Sequence, residues 1–394
     1  MCAMNTLFSA DYIVPVTDAA IKNGVIEVGD DGVIIGLYRP GYPGLQGREI
    51  QRHKGIIVPG FVNVHCHLEL SHLLGVIPRH TGLVPFLQRV MSMRGADEER
   101  IYQAMEAADQ AMYDNGIVAV GDHANTGISA SVKSRSRIHY HTFVEVIGFE
   151  PEVADQKLEE AGVIAGLFEG GPVSITPHAP YSVSKELFRL LNEEAIRSKL
   201  PLSVHNQESE EENRLFRYKV GHFLDFYRHL GKDVSGFKAQ ARNSLQTFMT
   251  YLSPTTPVLL VHNTFTSSKD IYYIERQGRN VSWCFCPNAN LYIEGTLPKL
   301  KNFINYRHKI TLGTDSLASN DRLCILSELK TIHANFPDLS FGETIKWATL
   351  NGAQFLGIAD QYGSLEVGKA PGLNLLTATN RLNITAETKV ARLV

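Results

Sequence analysis

His65 and His67 stand two apart in the run PGFVNVHCHLELSH. On an extended strand successive side chains alternate between faces, so this spacing puts both imidazoles on one face and turns Cys66 to the other. Three more short apolar runs end in groups of the same chemical character: PLSVH in His205, PVLLVH in His262 and ITLGTD in Asp315. Imidazole nitrogens and a carboxylate are the donors of a borderline divalent ion such as zinc or iron, with a coordination position left for water. Taken singly, each residue reads more simply as a polar group at a strand end. Taken together, the five would need five coincidences.

These residues are scattered in the chain, so a fold must gather them. Eight short apolar runs alternate with helix-like stretches: FVNVH (61–65), GIVAVGD (116–122), HTFVEVIG (141–148), PVSITPH (172–178), PLSVH (201–205), PVLLVH (257–262), VSWCFCP (281–287) and ITLGTD (310–315). Helical patterning covers 185–198 and 324–336, among others. Eight strand-then-helix units predict an α/β fold, a (β/α)8 or TIM barrel. Most runs end in a polar or ionisable residue: His65, Asp122, His178, His205, His262, Asp315. In a barrel of parallel strands those ends share one face, where such folds keep their chemistry.

The flanks read differently. DYIVPV, GVIEVG and GVIIGLYR are separated by Asn23-Gly24 and by the Asp-Asp-Gly run at 30–32. Alternation and turn chemistry predict antiparallel strands there. SLEVGKAPGLNLLT repeats the style near the C-terminus. The expected organisation is therefore a β-sandwich built from 1–58 and 359–394, around a barrel at 59–358. The long connection at 206–255 reads as helices, either covering a substrate or packed on the surface.

With 394 residues, 44% of them hydrophobic, the chain can bury a sizeable core. A formal net charge of −3 gives no electrostatic reason to expect nucleic-acid or membrane partners. The cysteines are Cys2, Cys66, Cys284, Cys286 and Cys324. An odd number without framework spacing suits a reduced, cytoplasmic setting. Cys284 and Cys286 lack a second pair for a zinc knuckle and read as buried strand residues. The N-terminal stretch has no basic region and no long apolar run, so neither a signal peptide nor a membrane span is expected.

In this order, PGFVNVHCHLELSH, PHAPYSVS, LSVHNQES, LLVHNTF, CPNANLYI and LGTDSLASND resemble the amidohydrolase superfamily, in its deaminase and chlorohydrolase branch. The resemblance extends to GSLEVGKAPGLNLL, similar to the returning β-domain segment. It implies that His65, His67, His205 and Asp315 bind one divalent ion, zinc or iron. It implies that His262 sits beside the water or the tetrahedral centre, with direct ligation left open, and that Glu208 shuttles protons. Two-metal members carry a modified lysine at the end of the fourth strand. Here that strand reads VSITPHAP, which favours a mononuclear site.

The implied chemistry is hydrolytic deamination of a purine-like heterocycle. A divalent ion lowers the pKa of water to about 7. Asp315 and His262 then accept or orient the water's proton, and Glu208 protonates a ring nitrogen. The leading substrate class is an adenosine derivative such as aminodeoxyfutalosine. Guanine, pterin or cytosine deamination and triazine-type chlorohydrolysis are the alternatives, and an inactive binding barrel the more distant one.

By the same resemblance His178 faces the substrate. Glu69, two after His67, is expected one step further out on the ligand face, binding a ribose hydroxyl or ring N–H, or else serving as a salt-bridged loop carboxylate. Asn290 and Ser316 are expected to shape the pocket. Arg89 and Arg94 read as a solvated helix face, Asn320 as a turn cap, and Asp122 and His123 as packing residues. The partner is a small molecule, and a homodimer is one assembly the reading allows.

Overall fold

A computed structural model describes residues 5–305 and 309–394; Cys2 lies outside the described residues. All eight central runs form strands: β1 (Phe61–Cys66), β2 (Ile117–Ala124), β3 (His139–Val146), β4 (Val173–Pro177), β5 (Leu202–Asn206), β6 (Val258–His262), β7 (Val281–Phe285) and β8 (Lys309–Leu312). They make two four-stranded sheets, β4-β3-β2-β1 and β5-β6-β7-β8, parallel throughout. Nearly every strand residue is buried, because helices between the strands cover the sheets.

The two sheets meet at both lateral edges. Thr314 and Asp315, just beyond β8, donate their amides to the His65 carbonyl at 3.0 and 3.1 Å. On the other side the His205 amide donates to the His178 carbonyl at 2.9 Å, and the Ser203 amide to Thr176 Oγ1 at 2.7 Å. One glycine is needed for close approach at the first seam. A Cβ at Gly313 would stand 2.7 Å from His65 Cβ.

Local signals set the connecting helices. Ser184 caps the helix Lys185–Ser198 by accepting from the Leu187 amide, and Lys199 ends it with φ 59°. The connection after β5 holds helices Glu210–Tyr218, His222–His229 and Ser244–Phe248.

The chain ends form two further sheets. One orders Ile34–Tyr38, Val25–Val28, Thr6–Ser9 and Gln51–Arg52; the other orders Lys389–Arg392, Leu373–Thr377, Ile56–Pro59, Tyr12–Ile13 and Ile21–Lys22. Leu373–Thr377 pairs antiparallel with Ile56–Pro59, so the two ends do meet in one sheet. Two pairings are parallel rather than antiparallel: Thr6–Ser9 with Gln51–Arg52, and Tyr12–Ile13 with Ile56–Ile57. Each joins segments far apart in the chain, where no tight hairpin dictates direction. The DYIVPV strand is reduced to Tyr12–Ile13, because Pro15 lacks an amide donor and Val16 turns to φ 79°.

Candidate active site

The strand ends converge. His65 lies inside β1, His67 just past it, and His205 and His262 near the ends of β5 and β6; Asp315 follows β8. His262 and Asp315 adopt left-handed backbone, with φ 70° and 58°. Such conformations cost about 1–3 kcal/mol in a non-glycine residue and persist where the surroundings demand them. Here they turn both side chains toward the same point.

His67 Nε2 lies 3.2 Å from His205 Nε2. Asp315 Oδ1 lies 3.5 Å from both His65 Nε2 and His67 Nε2. Bonds of about 2.05 Å to a tetrahedral ion place donors roughly 3.3 Å apart, so the spacing suits a shared cation. His65, His262 and Asp315 also offer donor atoms within 4.8 Å of one another. Both ring nitrogens of His65 are buried and find no hydrogen-bond partner, as expected for a ligand nitrogen whose lone pair a cation takes up. Burial, reinforced by the neighbouring imidazoles, holds His65 and His67 well below the ordinary histidine range, and burial lowers His205 as well. Neutral imidazoles are the form that binds metal.

Asp315 is pushed up by burial, but His262, His67 and the Ser319 hydroxyl together hold it below the usual carboxylate range. Ser319 donates to its Oδ2. Glu208 behaves oppositely. Burial, then the charges of Asp315, Glu294 and Glu212, push its carboxyl well above the usual range. Its Oε1 lies 3.6 Å from His262 Nε2.

Glu145, the next-to-last residue of β3, escaped the sequence reading. Its Oε1 sits 3.2 Å from His205 Nδ1 and its Oε2 3.8 Å from His67 Nδ1. One acid therefore faces the outward nitrogens of two candidate ligands, while the His178 carbonyl, 2.9 Å from His205 Nδ1, takes the hydrogen bond that orients that ring. The available signal was a lone acid in the otherwise apolar stretch FVEVIG. Asp122 accepts the Leu68 amide at 2.8 Å and pairs with buried Lys133 at 2.6 Å, fixing the chain just after His67. His123 packs on Phe143 with ring centroids 5.0 Å apart, in keeping with a packing role. Asn320 Oδ1 accepts the amide of Asp321 at 2.8 Å and so caps the turn.

A cavity of about 780 Å³ opens over these groups. His67, His178, His205, Glu208, His262, Asp315 and Ser316 all line it. His178 Nδ1 is engaged by Ser182 at 2.8 Å, which leaves Nε2 for a ligand. Asn290 is absent from the lining; it is fully buried and lies against the His262 ring. Glu69 is also absent from the lining. Its carboxylate accepts from Thr126 Oγ1 at 2.9 Å and from the Asn125 amide at 3.1 Å, and it makes no salt bridge among the described residues. The chain leaves extended geometry after Cys66 and enters a 3-10 turn over Leu68–Leu73, so the two-residue alternation that placed Glu69 beside His67 no longer holds. Arg94, expected on a solvated face, is half-buried and lines the cavity; Arg89 does not.

The sequence matches the Amidohydrolase family over residues 56–392. The chain belongs to the amidohydrolase family. It is thus a hydrolase of carbon–nitrogen bonds other than peptide bonds. An adenosine deaminase of Helicobacter pylori is 27% identical to this amidohydrolase over 348 residues, 85% of this chain and 81% of its own length. The H. pylori aminofutalosine deaminase, solved with methylthio-coformycin, superposes with TM-score 0.80 at 23% identity, covering 95% of this chain and 93% of the other. A Xanthomonas campestris adenosine deaminase with bound zinc gives 0.75 at 22%, covering 95% and 85%. The two solved structures show a shared fold. Among the described residues no helix is long and apolar enough to cross a membrane, and Cys66, Cys284, Cys286 and Cys324 are free thiols.

Proposed function

We propose that this amidohydrolase hydrolytically deaminates the adenine-type ring of a nucleoside, aminodeoxyfutalosine or another adenosine derivative, through a single divalent ion, zinc. In this reading residues 59–358 form a closed (β/α)8 barrel, with 1–58 and 359–394 as a β-sandwich beside it. The observation that carries the proposal is the convergence of His65, His67, His205 and Asp315, with His67 3.2 Å from His205 and Asp315 3.5 Å from both His65 and His67, and Glu208 at the same cavity. The deaminase relatives add to it.

Bound there, a divalent cation lowers the pKa of water to about 7 and supplies the nucleophile. Asp315, the most acidic carboxyl of the cluster, accepts the water's proton, and His262 orients it. Glu208, whose carboxyl burial and neighbouring carboxylates push upward, gives its proton to the ring nitrogen beside the attacked carbon. Water then adds across the carbon–nitrogen double bond. Asp315 passes the water's proton to the amino group, ammonia leaves, and the hydroxyl returns its proton to Glu208 as the ring carbonyl forms. His178 and Ser316, on the cavity wall, contact the base.

The test is ammonia release by zinc-loaded enzyme from adenosine derivatives, guanine, pterins and cytosine, alongside chloride release from a chlorotriazine. Ammonia from the adenosine derivatives, at about one ion per chain, is the expected result. Turnover confined to guanine, pterins or cytosine, or chloride release alone, would overturn the adenosine assignment.

A further inference from the structure

To protonate a ring nitrogen, Glu208 must hold its carboxyl at one point of the cavity, yet among the described residues no hydrogen bond fixes that carboxyl. His262 Nε2, at 3.6 Å, is beyond hydrogen-bonding reach. The backbone on either side must therefore aim it. On the far side an ordinary cap does so: Ser209 opens the helix Glu210–Tyr218 and accepts the Glu211 amide at 3.3 Å. On the near side stands Gln207, which is not ordinary. It is fully buried and adopts left-handed backbone, with φ 45°. Its side-chain Oε1 is buried without a hydrogen-bond partner. Strain of this kind and an orphaned acceptor both cost stability, and a glycine would avoid both.

The rest of the Gln207 side chain is tightly held. Its Nε2 donates to Asn213 Oδ1 at 2.9 Å and to Asp270 Oδ2 at 3.3 Å, and its carbonyl accepts the Phe265 amide at 2.9 Å. Both side-chain partners are acceptors, because Asn213 spends its own amide nitrogen on Glu210 Oε2 at 3.0 Å. Gln207 must then present nitrogen to them and leave its oxygen bare. Asp270, fully buried in the first turn of the helix Ser268–Arg276, gathers further neutral donors: Ser267 Oγ at 2.6 Å, Gln246 Nε2 at 2.7 Å and Asn243 Nδ2 at 2.6 Å. Asn243 in turn accepts from Arg217. One carboxylate thus ties the end of β5 to the returning end of the 206–255 connection and to the helix after β6. Such a network rigidifies what it joins.

We propose that Gln207 is a positioning residue: its side-chain amide, clamped by Asn213 and Asp270, holds the left-handed turn that delivers the Glu208 carboxyl to the cavity. This rests on the reading of Glu208 as the proton donor. The strain and the bare oxygen are then consequences of aiming a neighbour that has no bonds of its own to aim it.

The experiment measures kcat, KM and zinc content for zinc-loaded wild type, Gln207→Gly, Gln207→Asn and Glu208→Gln, and for each Gln207 substitution combined with Glu208→Gln. Adenosine, 5′-deoxyadenosine and 5′-methylthioadenosine are the substrates. Gln207→Gly adopts the turn freely but loses the clamp, and we expect kcat to fall about 10- to 100-fold with KM and zinc content unchanged. Gln207→Asn keeps an amide and tolerates left-handed backbone, so it should lie between. On the Glu208→Gln background neither substitution should lower kcat further, because the group it displaces no longer carries the proton. A residue that merely supports the fold would lower both backgrounds by the same factor. Wild-type kcat in Gln207→Gly, equal losses on both backgrounds, or zinc lost in step with kcat overturns the proposal. Should Gln207→Gly fail to fold, Gln207→Asn carries the same comparison. Wild-type turnover in Glu208→Gln, or no turnover of any nucleoside by the wild type, overturns the reading of the site and this inference with it. Loss in Glu208→Gln beside intact turnover in Gln207→Gly overturns this inference alone.

Discussion

Glu27 in the terminal sheets and Glu208 at the strand-end face are equally buried, each 4% exposed. They titrate in opposite directions. Glu27 accepts from Arg48 Nη2 at 2.7 Å, Asn5 Nδ2 at 2.8 Å and Tyr38 Oη at 2.7 Å, and its carboxyl is drawn down to about 2, chiefly by the Arg48 bond. Glu208 has a neutral imidazole 3.6 Å away and other carboxylates around it, and is pushed up instead. Burial is common to both; the donors differ. A satisfied buried carboxylate is a structural strut, and an unsatisfied one in a cavity is available for proton transfer.

That contrast can be broken experimentally. The largest effect is expected from His65→Ala, which removes a donor from the catalytic region. Metal content and turnover should fall together, and a fully metallated His65→Ala protein would take His65 out of the ligand set. Glu208→Gln keeps the shape and removes the proton. We expect full metal content, an unchanged Tm and a loss of about 10²- to 10⁴-fold in kcat; wild-type turnover would return Glu208 to a structural role. Glu145→Ala should weaken zinc affinity by about 10-fold, read by chelator competition, because the candidate ligands His67 and His205 lose the acid that faces their Nδ1 atoms. Unaltered affinity would leave Glu145 as mere packing.

The smallest effect belongs to the terminal sheets. Glu27→Gln should cost about 1–2 kcal/mol, in the lower part of the range for charged hydrogen bonds because Arg48 is 36% exposed and screened, with kcat unchanged. Since folding lowers the Glu27 carboxyl from 4.5 to about 2, its contribution is complete above pH 4.5 and fades as the pH falls toward 2. Wild type and Glu27→Gln should therefore differ in Tm at neutral pH and converge in acid. A constant difference across that window would sever the link to Arg48.

Most of this architecture was legible in the sequence where a local rule applied. All eight runs became strands because each is short, apolar and bounded by turns. His65, His205, His262 and Asp315 could be picked out because strand ends in such a fold share a face. Glu69 was misplaced because the alternation rule stops where the strand stops. Glu145 was overlooked because a lone acid in an apolar run has no spacing partner; its meaning lies in two imidazoles contributed by other parts of the chain. Arg94 was misread because a helix pattern shows which residues share a face, not whether that face meets solvent or a cavity.

The backbones of the two parallel sheets are hydrogen-bonded at their outer edges, and the candidate donors are divided between them: His65 and His67 extend from one, His205 and Asp315 from the other. A cation bound by all four acts as a rivet across the join. Occupancy at a hundred times the dissociation constant would add about 2.7 kcal/mol to folding. Zinc supply would then govern how long each molecule survives proteolysis as well as how fast it turns over.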